Sequence, residues 1–101
     1  LSTVEGSFTA AGQTSDSFMP AAQLRRGRFN VSVSGTFEAD VQVERSFDGG
    51  TTWIPVAGVD MAPMVMDQPI SLACEETEAG VSWRLNCTSF SSGTVAYRMS
   101  R

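Results

Sequence analysis

Lysine and histidine are both missing from this chain, and all seven of its basic residues are arginine. Without histidine no side chain has an unperturbed pKa near neutrality, and without lysine there is no Schiff-base or phosphate-loop amine. Most catalytic chemistry is thereby excluded, and metal sites lose their commonest ligand. A basic face is also lacking, since the net charge is -4 and the pI is about 4.5. That balance argues against a duplex-DNA binder held by phosphate neutralisation. No apolar run is long enough for a membrane-spanning helix, and no window carries a helical period. The first residues show neither a charged n-region nor an apolar h-region, so no secretory signal is visible. A residue as large as Leu1 is expected to follow cleavage or further residues rather than trimming of an initiator methionine.

What is present is alternation. Apolar residues make up 42% and charged residues 18% of 101 positions, which suits one small globular domain with a single modest core. Phe29, Val31 and Val33 face one way with Asn30, Ser32 and Ser34 opposite. Gly35 punctuates, and Phe37, Ala39, Val41 and Val43 resume the pattern, which reads as a hairpin. Further strands are expected at Trp53–Val56, at Pro69–Cys74 with Ile70, Leu72 and Cys74 on one face, and at Val81, Trp83, Leu85 and Cys87. A last strand carries Val95, Tyr97 and Met99 after a turn at Ser91–Thr94. Residues 1–28 are richer in Ser, Thr, Ala and Gly, with Phe8 and Phe18 as anchors, and read as an N-terminal arm or edge strands on a body at 29–101. The fold class is all-β, an antiparallel two-sheet β-sandwich of the immunoglobulin-like kind, with a small barrel or jelly roll as the rival.

The stretch SFDGGTTW at 46–53 fits S-x-D-x-G-x-T-W. Its physical logic is that of a strongly specified turn. The Asp48 carboxylate accepts backbone N–H groups left over at the tip, Gly49 and Gly50 supply positive φ, and Trp53 anchors the returning strand in the core. Ser46, Asp48, Gly50, Thr52 and Trp53 are the defining residues. The pattern resembles the Asp-box of sialidases, where it is a structural turn repeated on propeller blades, and this chain is too short for a propeller. An echo, Glu78-x-Gly80-x-Ser82-Trp83, lies thirty positions on and reads as a second hairpin of similar recipe or a chance likeness of turn composition. A sugar-contacting role for Trp53 requires an exposed ring.

Glu38, Asp40, Glu44 and Asp48 could supply a glycosidase's pair of acids. The even-numbered acids of this strand lie opposite Ala39, Val41 and Val43, on the face expected to be solvated, so they read as solubilising charge. Cys74 and Cys87 both fall on apolar faces and are expected to be buried and unbridged, because a turn at 75–80 would pair Cys74 near Val81 and away from Cys87. Two cysteines without histidine make a weak metal site, and no cofactor or metal is expected. Arg25, Arg26 and Arg28 form the one basic cluster, suited to carboxylates on a partner or to a solvated loop. Met61, Met64 and Met66 lie in a connection too long for a tight turn, suited to a contact surface or to plugging an end of the sandwich. The sequons at Asn30 and Asn86 fall mid-strand and are read as accidental.

From about Arg28 onward, FNVSVSGTF, VQVERSFDGGTTWIPV and EAGVSWRLNCTSFSSGTVAYRMS resemble short proteins of tailed-bacteriophage virions that join an FNVS strand, an ERSFDGGTTW hairpin and a YRLxC…SGT…YR ending. Trp83 stands where that pattern has tyrosine. The resemblance covers about three quarters of the chain and implies a non-enzymatic β-sandwich head-decoration or accessory protein. Its expected partner is the major capsid protein or another virion protein, with no nucleic acid or membrane, and its place is the virion assembled in the host cytoplasm. A homo-trimer and a scattered monomer are both compatible with capsid symmetry. The second expectation is a carbohydrate-binding module using Trp53 or Tyr97, and a small glycoside hydrolase is third.

Overall fold

Period-two alternation puts every second side chain on the same face of a strand, and one apolar face per strand is enough to drive two sheets together. The computed structural model describes residues 3–20 and 27–101. Its strands are β1 (Thr3–Phe8), β2 (Gly27–Ser34), β3 (Phe37–Ser46), β4 (Ile54–Pro55), β5 (Val65–Met66), β6 (Ile70–Glu76), β7 (Ser82–Gly93) and β8 (Val95–Ser100), with one 3-10 turn at Val59–Met61. Every pairing is antiparallel, so the predicted all-β two-sheet sandwich is what forms.

The first sheet runs β1-β8-β2-β6. In the second, β7 pairs along the whole of β3, while β4 and β5 share β3's other edge, opposite Glu44–Arg45 and Val41–Gln42. Residues 12–18 complete this sheet on the far side of β7. Gly12 N–H donates to Cys87 O at 2.8 Å, Ser15 N–H to Leu85 O at 2.9 Å, and Phe18 and Trp83 exchange both backbone bonds at 2.8 and 2.7 Å. The expected N-terminal arm is therefore, over residues 3–20, an edge strand of one sheet followed by an edge segment of the other. Phe8 and Phe18, at 1% and 3% exposure, are the reason, because leaving either in water would cost roughly 1.5–3 kcal/mol.

With 12–18 counted as a strand and β4 and β5 as one interrupted strand, consecutive strands alternate between sheets except at β3–β4. This is one long hairpin rolled up, the jelly-roll order, rather than an immunoglobulin order in which the last two strands share a sheet. Three expected hairpins are corrected accordingly. β2–β3, β6–β7 and β7–β8 each cross from one sheet to the other. Two of those corners lock together. Thr94 N–H donates to Thr36 O at 3.0 Å, a Cβ on Gly35 would stand 2.7 Å from Thr94 O, and one on Gly93 would collide with Thr36 O. β7 also skips a residue twice against β3 on its way to Gly93, and such bulges bend a strand.

The core lies between the sheets. Phe29, Val31, Val33, Val95 and Met99 project from the first, and Val41, Val43, Trp83, Leu85 and Cys87 from the second, all at 5% exposure or less. Phe29 meets Trp83 edge-on with centroids 4.7 Å apart, joining the sheets near one end.

Candidate functional site

The turn at 46–53 is the tip of the rolled hairpin. Ser46, fully buried, donates its hydroxyl to Asp48 Oδ1 at 2.8 Å and accepts the Gly50 N–H at 2.9 Å. Asp48 Oδ1 also accepts the Thr52 N–H at 2.8 Å. These bonds, led by the one from Thr52, hold the Asp48 carboxyl below its ordinary pKa. Gly49 and Gly50 sit at φ 74° and 97°, in the left-handed region that a side chain disfavours.

Trp53 does not enter the core. Glu44 pairs with Pro55, and cross-strand partners share a face, so Trp53 and Pro55 return on the outer side of the sheet. There the half-buried indole lies under the Arg84 guanidinium, 4.5 Å from the ring centroid. Arg84 in turn donates to Glu44 Oε1 at 2.7 Å, and Gln42 and Asn86 donate to Oε2 at 2.8 and 3.2 Å. Glu44 is thus a correction among the acids expected on a solvated face, since it is only 5% exposed. Burial pushes its carboxyl up, and the Arg84, Asn86 and Gln42 bonds together outweigh that and leave it lowered. Glu38 and Asp48 are exposed and Asp40 is half-buried.

Arg45 and Glu76 were not singled out by the sequence reading. Arg45 follows Val41 and Val43 on β3's inward face and reaches Glu76 on the first sheet, with Nε–Oε1 at 2.9 Å and Nη2–Oε2 at 2.6 Å. Glu76, 1% exposed, also accepts Trp83 Nε1–H at 2.8 Å and the Glu78 N–H at 3.0 Å. Its carboxyl is raised by burial but held below its ordinary value on balance by those four bonds. Arg45 also lies 4.9 Å from the Phe47 ring centroid and 5.6 Å from that of Trp83. The echo at Glu78–Trp83 is therefore not a second hairpin. The chain there crosses between sheets, and it is Glu76 that ties the crossing to the strand leading into the first turn.

Both cysteines are unbridged. Cys87 is buried and Cys74 half-buried, less than expected, and burial raises both thiols, with the Asp40 charge adding to the effect at Cys87. The register that placed Cys74 near Val81 is corrected, since Cys74 pairs with Phe29 and Cys87 with Val41. Arg28 extends its side chain into solvent, 90% exposed and 3.9 Å from Glu75, while Arg25 and Arg26 lie outside the described residues. The three methionines part company. Met61 is 84% exposed, Met64 half-buried, and Met66 is 3% exposed in the core, which removes it as a surface contact. Tyr97 is half-buried and stacks on Phe8 at 4.5 Å.

Between the loop that carries these methionines and β6 lies an open apolar cleft of about 440 Å³, lined chiefly by Pro63, Met64, Val65, Ile70 and Leu72, with Asp67 at its margin. It holds the apolar side chains of two sheet edges and one carboxylate, a lining suited to contact rather than to proton transfer. Among the described residues no cluster of three His, Cys, Asp or Glu side chains converges to hold a metal. Compared with protein-family models, curated proteins and solved structures, the chain matches none.

Proposed function

We propose that this chain is a non-enzymatic structural protein of a tailed-bacteriophage virion, a decoration or accessory protein that docks on the head surface in many copies. The observation that carries the reading is how the carboxylates are used. The two buried ones, Glu44 and Glu76, are each neutralised by an arginine and spent on holding strands together. The open cleft between the methionine-bearing loop and β6 is apolar. A rolled two-sheet architecture is shared by viral capsid and lectin domains, which is compatible with this role without specifying it. The motif at 46–53 serves here as an Asp-box-like structural turn, the tip about which the hairpin is rolled.

The carbohydrate-binding alternative loses its main support, because Arg84 covers one face of Trp53 and Tyr97 is stacked on Phe8. Cosedimentation tests the docking reading. Purified protein mixed with intact phage heads is expected to pellet with them saturably, as a monomer or trimer at symmetry-related positions. Protein left in the supernatant at every head concentration overturns it.

A further inference from the structure

A free sheet edge displays a row of backbone donors and acceptors, and folded proteins usually blunt such edges with lysine, bulges or covering loops. Among the described residues, β6 has none of these along Ile70–Cys74. Its pairing with β2 runs without a register shift, and no described strand lies on its other side. The same edge opens onto the apolar cleft, because Ile70 and Leu72 form one wall and Pro63–Met66 the other. Ile70 and Val65 are 39% and 44% exposed there. β4 and β5, which would otherwise make one continuous strand on the facing sheet, are split by residues 57–63, an excursion closed by the Ala57–Pro63 bridge. Asp60 and Met61 on that excursion take positive φ of 57° and 63°, the left-handed region that non-glycine residues disfavour.

Charge selects the occupant. Of the acids that flank this edge, Asp67 and Glu78 are exposed, whereas Glu75 lies beside Arg28 and Glu76 is held by Arg45. A second copy adding its own β6 antiparallel about Leu72 would bring the exposed Asp67 of each copy within a residue or two of the exposed Glu78 of the other. Like charges placed so oppose pairing. A strand with alternating apolar side chains and cationic ends meets the cleft and the acids together.

We infer that β6 is a strand-addition site, taking an extended segment of a partner protein that pairs with its free edge, sets alternate apolar side chains into the cleft and presents lysine or arginine beside Asp67. This deepens the docking role proposed above and rests on it only in supposing that the chain works by binding protein.

The probe is a short synthetic peptide alternating valine and threonine with lysine at both ends, titrated into the isotope-labelled protein by NMR. Amide shifts are expected at Val65–Met66 and Ile70–Cys74. Exchanging the terminal lysines for glutamate is expected to weaken binding about fivefold. Asp67→Lys, at an exposed position, is expected to reverse that preference. A peptide methylated on alternate backbone nitrogens is expected not to bind. Equal binding by the methylated peptide, indifference to terminal charge, or no shifts at these amides overturns the inference, as does concentration-dependent self-association through β6. Peptide binding without cosedimentation would sink the virion reading and leave this edge standing, and the converse result would do the opposite.

Discussion

Replacing Glu76 by glutamine keeps the shape of the side chain and removes its charge. The carboxylate accepts two bonds from Arg45, one from the Trp83 indole and one from the Glu78 amide, so all of its close partners are donors. Glutamine turns one oxygen into an N–H₂ that must face a donor, and it leaves the guanidinium without its counter-charge. Breaking a buried ion pair by removing one member costs about 3–5 kcal/mol. Arg45, with 30% of its side chain exposed, recovers part of its hydration, which sets the expected cost near the lower end, about 3 kcal/mol. For a small domain with a urea m-value of about 1.5 kcal/mol/M, the midpoint falls by about 2 M with m unchanged.

The pH dependence supplies an internal control. The folded pKa of Glu76 is lowered from its ordinary 4.5, so its contribution is complete above that value and is lost as pH falls through the lower, folded pKa. The wild-type and Glu76→Gln proteins should therefore converge in stability in acid. A cost under about 1 kcal/mol at pH 7, or a gap that does not shrink in acid, would refute the clamp as a stabilising element.

Ser46→Ala removes the hydroxyl that links Asp48 to Gly50 and is expected to cost about 1–2 kcal/mol by urea denaturation, with faster hydrogen exchange at the Gly50 and Thr52 amides. Gly93→Ala drives a methyl into Thr36 O and should abolish cooperative unfolding, whereas Gly49→Ala, with open space around it, should cost only about 1–2 kcal/mol for its positive φ. At neutral pH both thiols are protonated. A maleimide should label Cys74 slowly and Cys87 only after urea unfolding, and rapid labelling of Cys87 in the native protein would contradict its burial.

The strands and their inward faces were legible because period two survives from residue to residue. Phe29, Val31 and Val33, and then Trp83, Leu85 and Cys87, fall where alternation puts them. The connections were not legible. A Gly-Thr link such as 35–36 serves a hairpin and a corner equally, and what decides between them is that β3 finds its partner in β7, far along the chain. Trp53 was misplaced for a related reason, since the face it takes depends on the length of the turn before it rather than on its own neighbours. The Arg45–Glu76 clamp did leave a signal. Extending the odd-numbered face past Val43 reaches Arg45, and extending the even-numbered face past Cys74 reaches Glu76, two opposite charges at inward positions. Glu44 gave no such mark, because it lies on the outer face of β3 and its environment is made by the Arg84, Gln42 and Asn86 side chains that bond to it.

The most direct test of the docking account is the abundance of this chain in purified virions, measured by quantitative mass spectrometry against the major capsid protein. The account predicts a fixed ratio that matches occupancy of symmetry-related head positions and persists through gradient purification. Absence from the particle, or a ratio that declines with each purification step, would contradict it.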